Sequence, residues 1–106
     1  MPVFVLHELA HAYHDRVLGF DHAGIKAAYD HAVGGKSYDA VERWNGEGRP
    51  NTTERAYAMT NEREYFAENT EAYFGRNDFY PFTRDELAKH DPEMFKLLEN
   101  VWTTGK

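Results

Sequence analysis

The sequence predicts a mainly helical α+β domain, and three observations carry that prediction. Apolar residues recur at helical spacing through most of the chain, and a cluster of turn formers near the middle separates two partly alternating runs. The length of 106 residues, 42% hydrophobic and 15% aromatic, supplies one modest core. Residues 1–106 are therefore expected to form a single compact domain.

The elements follow in order. Pro2 suits a first helical turn, and Leu6, Leu9, Ala10, Tyr13 and Val17 then make an apolar stripe. From about 22 to 33, Ile25, Ala28, Tyr29, Ala32 and Val33 keep helical spacing until Gly34-Gly35 closes the segment. Residues 37–44 and 53–59 read as a small β-hairpin around the turn cluster Asn45-Gly46-Glu47-Gly48-Arg49-Pro50-Asn51. Asn61 as N-cap, with Glu64 three places later, opens a helix of three to four turns reaching Phe74. Phe79-Tyr80-Pro81-Phe82 is more aromatic than a solvated loop requires and either packs on the core or walls a cleft. Thr83 with Glu86 forms a capping box, and Asp91-Pro92 opens a last helix whose apolar face is Met94, Phe95, Leu98, Val101 and Trp102. These C-terminal helices are expected to be scaffold.

Charge narrows the function classes. Twelve basic and eighteen acidic residues give a net charge of −6 with no basic patch, which argues against nucleic acid and anionic membrane surfaces as partners. There are no cysteines, so disulfides and thiolate ligands are excluded. No stretch is long or apolar enough to span a bilayer, and the opening residues lack the order of a signal peptide, so the chain is expected to carry no address of its own. Nothing in the pattern fixes an oligomeric state.

The chemistry concentrates in His7-Glu8-Leu9-Ala10-His11. On a helix His7 and His11 point within about 40° of one another, and Glu8 lies about 60° beyond His11. Two imidazoles can then share one metal ion while Glu8 flanks it. Two partly buried histidines with backbone or water partners would show the same spacing. His14 shares this face, but it sits about 10.5 Å along the axis from His7, too far to join the same ion. It is read as lying beside the ligands or on the surface, and Asp15, Asp21, His22 and His31 are read as solvated.

On the later helix Glu64, Glu68 and Glu71 fall within about 60° of one another amid Tyr65, Ala67, Ala72 and Phe74, while Glu62 and Arg63 supply a polar face opposite. Carboxylates facing apolar neighbours need a cation or several donors. A metal that already has histidine ligands supplies one, and Arg16, Arg43 or Arg55 would supply another. Two histidines and one glutamate leave a fourth coordination position for water, the arrangement of a catalytic rather than a structural zinc. A third histidine is not available at the metzincin spacing, where His14 stands in place of glycine and Val17 in place of histidine.

His7-Glu8-x-x-His11, followed some fifty positions later by Asn61-Glu62-Arg63-Glu64-Tyr65-Phe66-Ala67-Glu68, resembles the gluzincin metallopeptidases. The nearest resemblance is to the anthrax lethal factor-like catalytic domains, a group that includes the clostridial Pro-Pro endopeptidases. The resemblance implies that His7, His11 and Glu64 bind Zn²⁺, that Glu8 is the catalytic acid/base, that Glu68 orients a zinc-bound histidine, and that Tyr57 supplies a hydroxyl to the oxyanion. It also implies a peptide or protein substrate and a secreted or extracytoplasmic setting. Such domains place a sheet before the zinc helix, whose edge strand binds extended substrate. Here either the hairpin takes over that role or the chain is a trimmed piece of a larger peptidase. Two function classes follow: a zinc-dependent endopeptidase, or a zinc-binding module that keeps the site without an efficient cleft. A small helical bundle without metal is a third.

Overall fold

The organising element is a single buried helix, and the computed structural model, which describes residues 3–104, shows the others arranged around it. The helices are α1 (Val3–Tyr13), α2 (Ala23–Gly35), α3 (Glu62–Phe74), α4 (Arg84–His90) and α5 (Pro92–Thr104). Strands β1 (Val41–Arg43) and β2 (Thr52–Glu54) form one antiparallel pair. The fold is α+β and mainly helical, as the sequence predicts. Pro2, expected in the first turn, lies outside the described residues.

Every residue of α3 from Tyr65 to Tyr73 is buried, so α1, α2, α4 and α5 all pack against it. Asn61 caps it by accepting the Glu64 N–H at 2.9 Å. The reciprocal arm of a capping box would need the Glu64 carboxylate, which turns to His7 instead. The box at Thr83 and Glu86 is complete, with both reciprocal hydrogen bonds made. Asp91 caps α5 through Met94 N and also accepts the hydroxyls of Tyr38 and Tyr65. Burial, reinforced by the Asp91 charge, pushes both phenols well above their ordinary range, so they remain donors. On α5 Met94, Leu98 and Val101 are buried and Phe95 and Trp102 partly so, which is the predicted face.

Several expectations are corrected. On α1 Ala10 is fully buried, but Leu9 and Val17 are 48% and 58% exposed and do not belong to the inner stripe. A π-helical turn at His14–Leu18 explains Val17, because its wider turn advances fewer degrees per residue and carries that side chain outward. His14 is not at the surface. It is completely buried, with Phe20 and Phe66 rings at 4.9 and 5.1 Å, because the face that carries the histidines is the face α3 covers. Among the described residues neither of its ring nitrogens has a hydrogen-bond partner. His22 is a cap rather than a solvated side chain, its Nδ1 accepting Ile25 N–H at 3.2 Å. Gly34 and Gly35 lie inside α2, and the left-handed residue that ends it is Lys36, at φ 59°.

The hairpin is shorter than predicted. Residues 41–43 pair with 52–54 in the register Val41↔Glu54 and Arg43↔Thr52. Tyr57 is not at a strand end but in a 3₁₀ turn, Tyr57–Met59, that leads into α3. On its other side β1 receives the segment 78–80, through Trp44 N–H to Asp78 O at 2.7 Å and Tyr80 N–H to Glu42 O at 2.8 Å. The aromatic run divides accordingly: Pro81 and Phe82 are buried, whereas Phe79 faces the cleft beside β1.

Burial, with smaller effects from the charges of His22 and His11, lowers the His14 pKa from its ordinary 6.5 to about 4. The unfolded chain therefore binds more protons than the native one between those values, and native stability falls as pH drops through that window. The loss attributable to His14 should be about 3 kcal/mol at full protonation. Urea denaturation across pH 7 to 4 should show it, and His14→Phe should remove that part of the decline while stabilising the protein near pH 7 by about 1 kcal/mol.

Candidate metal centre

The α1–α3 contact brings three donor atoms to one point. His7 Nε2 stands 2.9 Å from Glu64 Oε1 and 3.1 Å from His11 Nε2, and His11 Nε2 stands 3.4 Å from Glu64 Oε1. The two rings meet edge to face, with centroids 4.7 Å apart, because residues four apart on α1 share a face. Ligands at about 2.1 Å on a tetrahedral ion lie roughly 3.4 Å from one another. The separations of 2.9, 3.1 and 3.4 Å lie at or slightly inside that spacing, and two imidazoles with a carboxylate suit zinc among common divalent ions. His7, His11 and Glu64 are each partly buried, which leaves solvent access on one side.

The other nitrogen of His7 is also engaged. Its Nδ1 donates to Glu71 Oε1 at 2.8 Å, while Glu68 Oε2 lies 3.5 Å away. Glu68 and Glu71 are 7% and 5% exposed. The Glu71 hydrogen bond outweighs the opposing effect of burial and, with the charges of Glu71 and Glu68, raises the His7 pKa to about 9. Burial, followed by the charge of Glu71, raises that of Glu68 to about 8. His7 and Glu68 therefore both favour their protonated forms at neutral pH, the expected response of buried groups to neighbouring carboxylates.

Arginines do not neutralise this cluster. Among the described residues the ion-pair partners of Glu64, Glu68 and Glu71 are His7 and His11, whereas Arg43 pairs with Glu54 at 3.1 Å and Arg55 faces Asp39 at 3.9 Å. Arg16 is exposed. His14 takes no part in either group of potential metal ligands.

A cleft of about 870 Å³ opens beside the cluster. Glu8, exposed on α1, and Tyr57, 49% exposed, both line it together with His7. Trp44 and Phe79 form its apolar side, and Glu68 and Glu71 reach it from α3. The structure thus brings His7, His11 and Glu64 to a common focus and sets Glu8, Tyr57 and Glu68 around the adjoining space. Sequence reasoning placed Glu71 on the same arc of α3 as Glu64 and Glu68 but gave it no role. Trp44 gave no sequence signal, since its place depends on how β1 is flanked.

The family description anthrax toxin lethal factor, N- and C-terminal domain, matches residues 3–101. The chain belongs to that family. No curated protein and no solved structure matches it. The match spans both the His7-to-His11 segment and α3, so the two halves of the cluster lie within one lethal factor family domain. The description names terminal domains and no activity.

Titration with zinc should give one equivalent bound. At a free zinc concentration of about 100 times the dissociation constant, the added stability should be about 2.7 kcal/mol, read as a rise in melting temperature that a chelator reverses. Glu64→Ala removes one of the three candidate ligands and should abolish that rise, while Arg43→Ala should retain it.

Proposed function

We propose that the chain is a zinc-dependent endopeptidase domain of the gluzincin kind, acting on peptide bonds of a peptide or protein substrate. The observation that carries this reading is the convergence of His7 Nε2, His11 Nε2 and Glu64 Oε1 at separations of 2.9 to 3.4 Å. Its position beside a cleft that Glu8 and Tyr57 line supports it further.

Zinc held by His7, His11 and Glu64 would supply a Lewis acid that makes water a better nucleophile near neutral pH. The chain's own groups do the rest. Glu8 accepts a proton as water attacks the peptide carbonyl carbon, and it holds that proton while the new C–O bond forms. The carbonyl oxygen gains negative charge, and the Tyr57 hydroxyl donates a hydrogen bond to it. When the C–N bond breaks, Glu8 passes its proton to the leaving amine, which restores the carboxylate. Trp44 and Phe79 offer apolar surface for a substrate side chain along the same cleft.

Incubation of the zinc-loaded protein with a random peptide library should yield a defined set of cleaved bonds. Glu8→Gln should keep the zinc and lose turnover, and Tyr57→Phe should lower kcat by about 10²- to 10³-fold. Hydrolysis retained by Glu8→Gln would refute the assignment. Stoichiometric zinc with no cleavage by the wild type would identify a metal-binding module without catalytic use.

A further inference from the structure

We infer that Glu71 is the residue that positions His7 for metal binding, a role the family resemblance implies for Glu68. The inference rests on the zinc reading above and goes beyond it by assigning a residue that neither the motif nor the family resemblance supplies.

A histidine ligand offers one nitrogen to the metal, and the ring can still rotate about its own bond unless the other nitrogen is held. Holding that N–H with an acceptor fixes the tautomer, aims the lone pair and makes the ligand more basic. His7 meets this requirement from both sides. Its Nε2 faces Glu64 and His11, and its Nδ1 faces the two buried carboxylates of α3. The competing acceptors are separated by distance. Glu71 Oε1 accepts at 2.8 Å, within the usual N–H···O range, whereas Glu68 Oε2 at 3.5 Å lies outside it.

Helix geometry accounts for the choice. Measured from Glu64, a residue four places on is displaced by about 40° to one side and a residue seven places on by about 20° to the other. Glu71 therefore stands almost directly above Glu64 along α3, about two turns further on. Glu64 and Glu71 meet the two nitrogens of the same imidazole ring. Burial reinforces the grip, because at 5% exposure little water competes for the Glu71 oxygen.

The test uses the full chain, stripped of metal and reloaded with zinc or with cobalt as a spectroscopic probe. Four variants are compared with wild type: Glu71→Ala, Glu71→Gln, Glu68→Ala and Glu68→Gln. Zinc affinity is read by competition with a chromogenic chelator, ligand geometry by the visible absorption of the cobalt form, and folding by circular dichroism. Glu71→Ala should lower zinc affinity by about 10- to 100-fold and alter the cobalt spectrum. Glu71→Gln keeps shape and an acceptor oxygen, so it should recover most of the affinity while still shifting the spectrum. Both Glu68 variants should bind zinc within about threefold of wild type, below the range of losses seen for residues that hold a ligand.

Should Glu71→Ala not fold, Glu71→Gln decides alone, and a wild-type affinity with a wild-type spectrum overturns the inference. It is equally overturned if Glu68→Ala carries the loss. Wild type that binds no zinc would sink the zinc reading and this inference together, whereas zinc-binding wild type with silent Glu71 variants would sink this inference only.

Discussion

The structure depends on one imidazole ring held from two sides. His7 belongs to α1, and the carboxylates that grip it, Glu64 and Glu71, belong to α3. α3 is otherwise a core helix, so its acidic residues would be strongly unfavourable in that setting without a cationic or donor partner. The α1–α3 contact is therefore both the main packing interface of the domain and the place where its charges are reconciled. The arrangement explains why the histidine face of α1 points inward, and why His14, one turn beyond His11, is enclosed among aromatic rings.

Local stability is traded against this contact at one visible place. Asn61 caps α3, and Glu64 stands at the position from which a capping box would be completed. Its carboxylate is drawn to His7 instead, leaving the cap half made, while Thr83 and Glu86 complete theirs at the start of α4. The difference between the two sites is the presence of a histidine across the interface. α3 is anchored from its far side as well, since Tyr65, the residue after Glu64, donates to Asp91 at the head of α5. The position of a proposed metal ligand is thus set in part by a carboxylate that its neighbour in sequence engages.

Patterns spanning one helix were legible in the sequence. The opening helix, α3 with its Asn61 cap, the box at Thr83 and the apolar face of α5 all arise from contacts between residues three or four apart, and they appear as predicted. What the sequence concealed needs more than one element. Leu9 and Val17 look like core until the π-helical turn and the placement of α3 are known. The strands are short because they are stabilised by pairing and by segment 78–80 rather than by their own alternation, so the partial pattern at 37–44 and 53–59 overstated them. Glu71 was visible as a third acid on one arc, but only the distances to His7 separate it from Glu68. Tyr57 reaches the cleft from a 3₁₀ turn, which no periodicity marks.

The flanking of β1 bears on how any extended chain is received. Strand β2 occupies one border of β1, and the backbone at Asp78 and Tyr80 occupies the other, so its main-chain groups are already spoken for. A guest backbone is left with the outer border of β2, only Thr52 to Glu54 in length. So brief a track provides few main-chain contacts and little hold on alignment. On the proposed peptidase reading, discrimination among substrates would fall to side chains meeting Trp44, Tyr57 and Phe79, a matter of shape rather than of strand pairing.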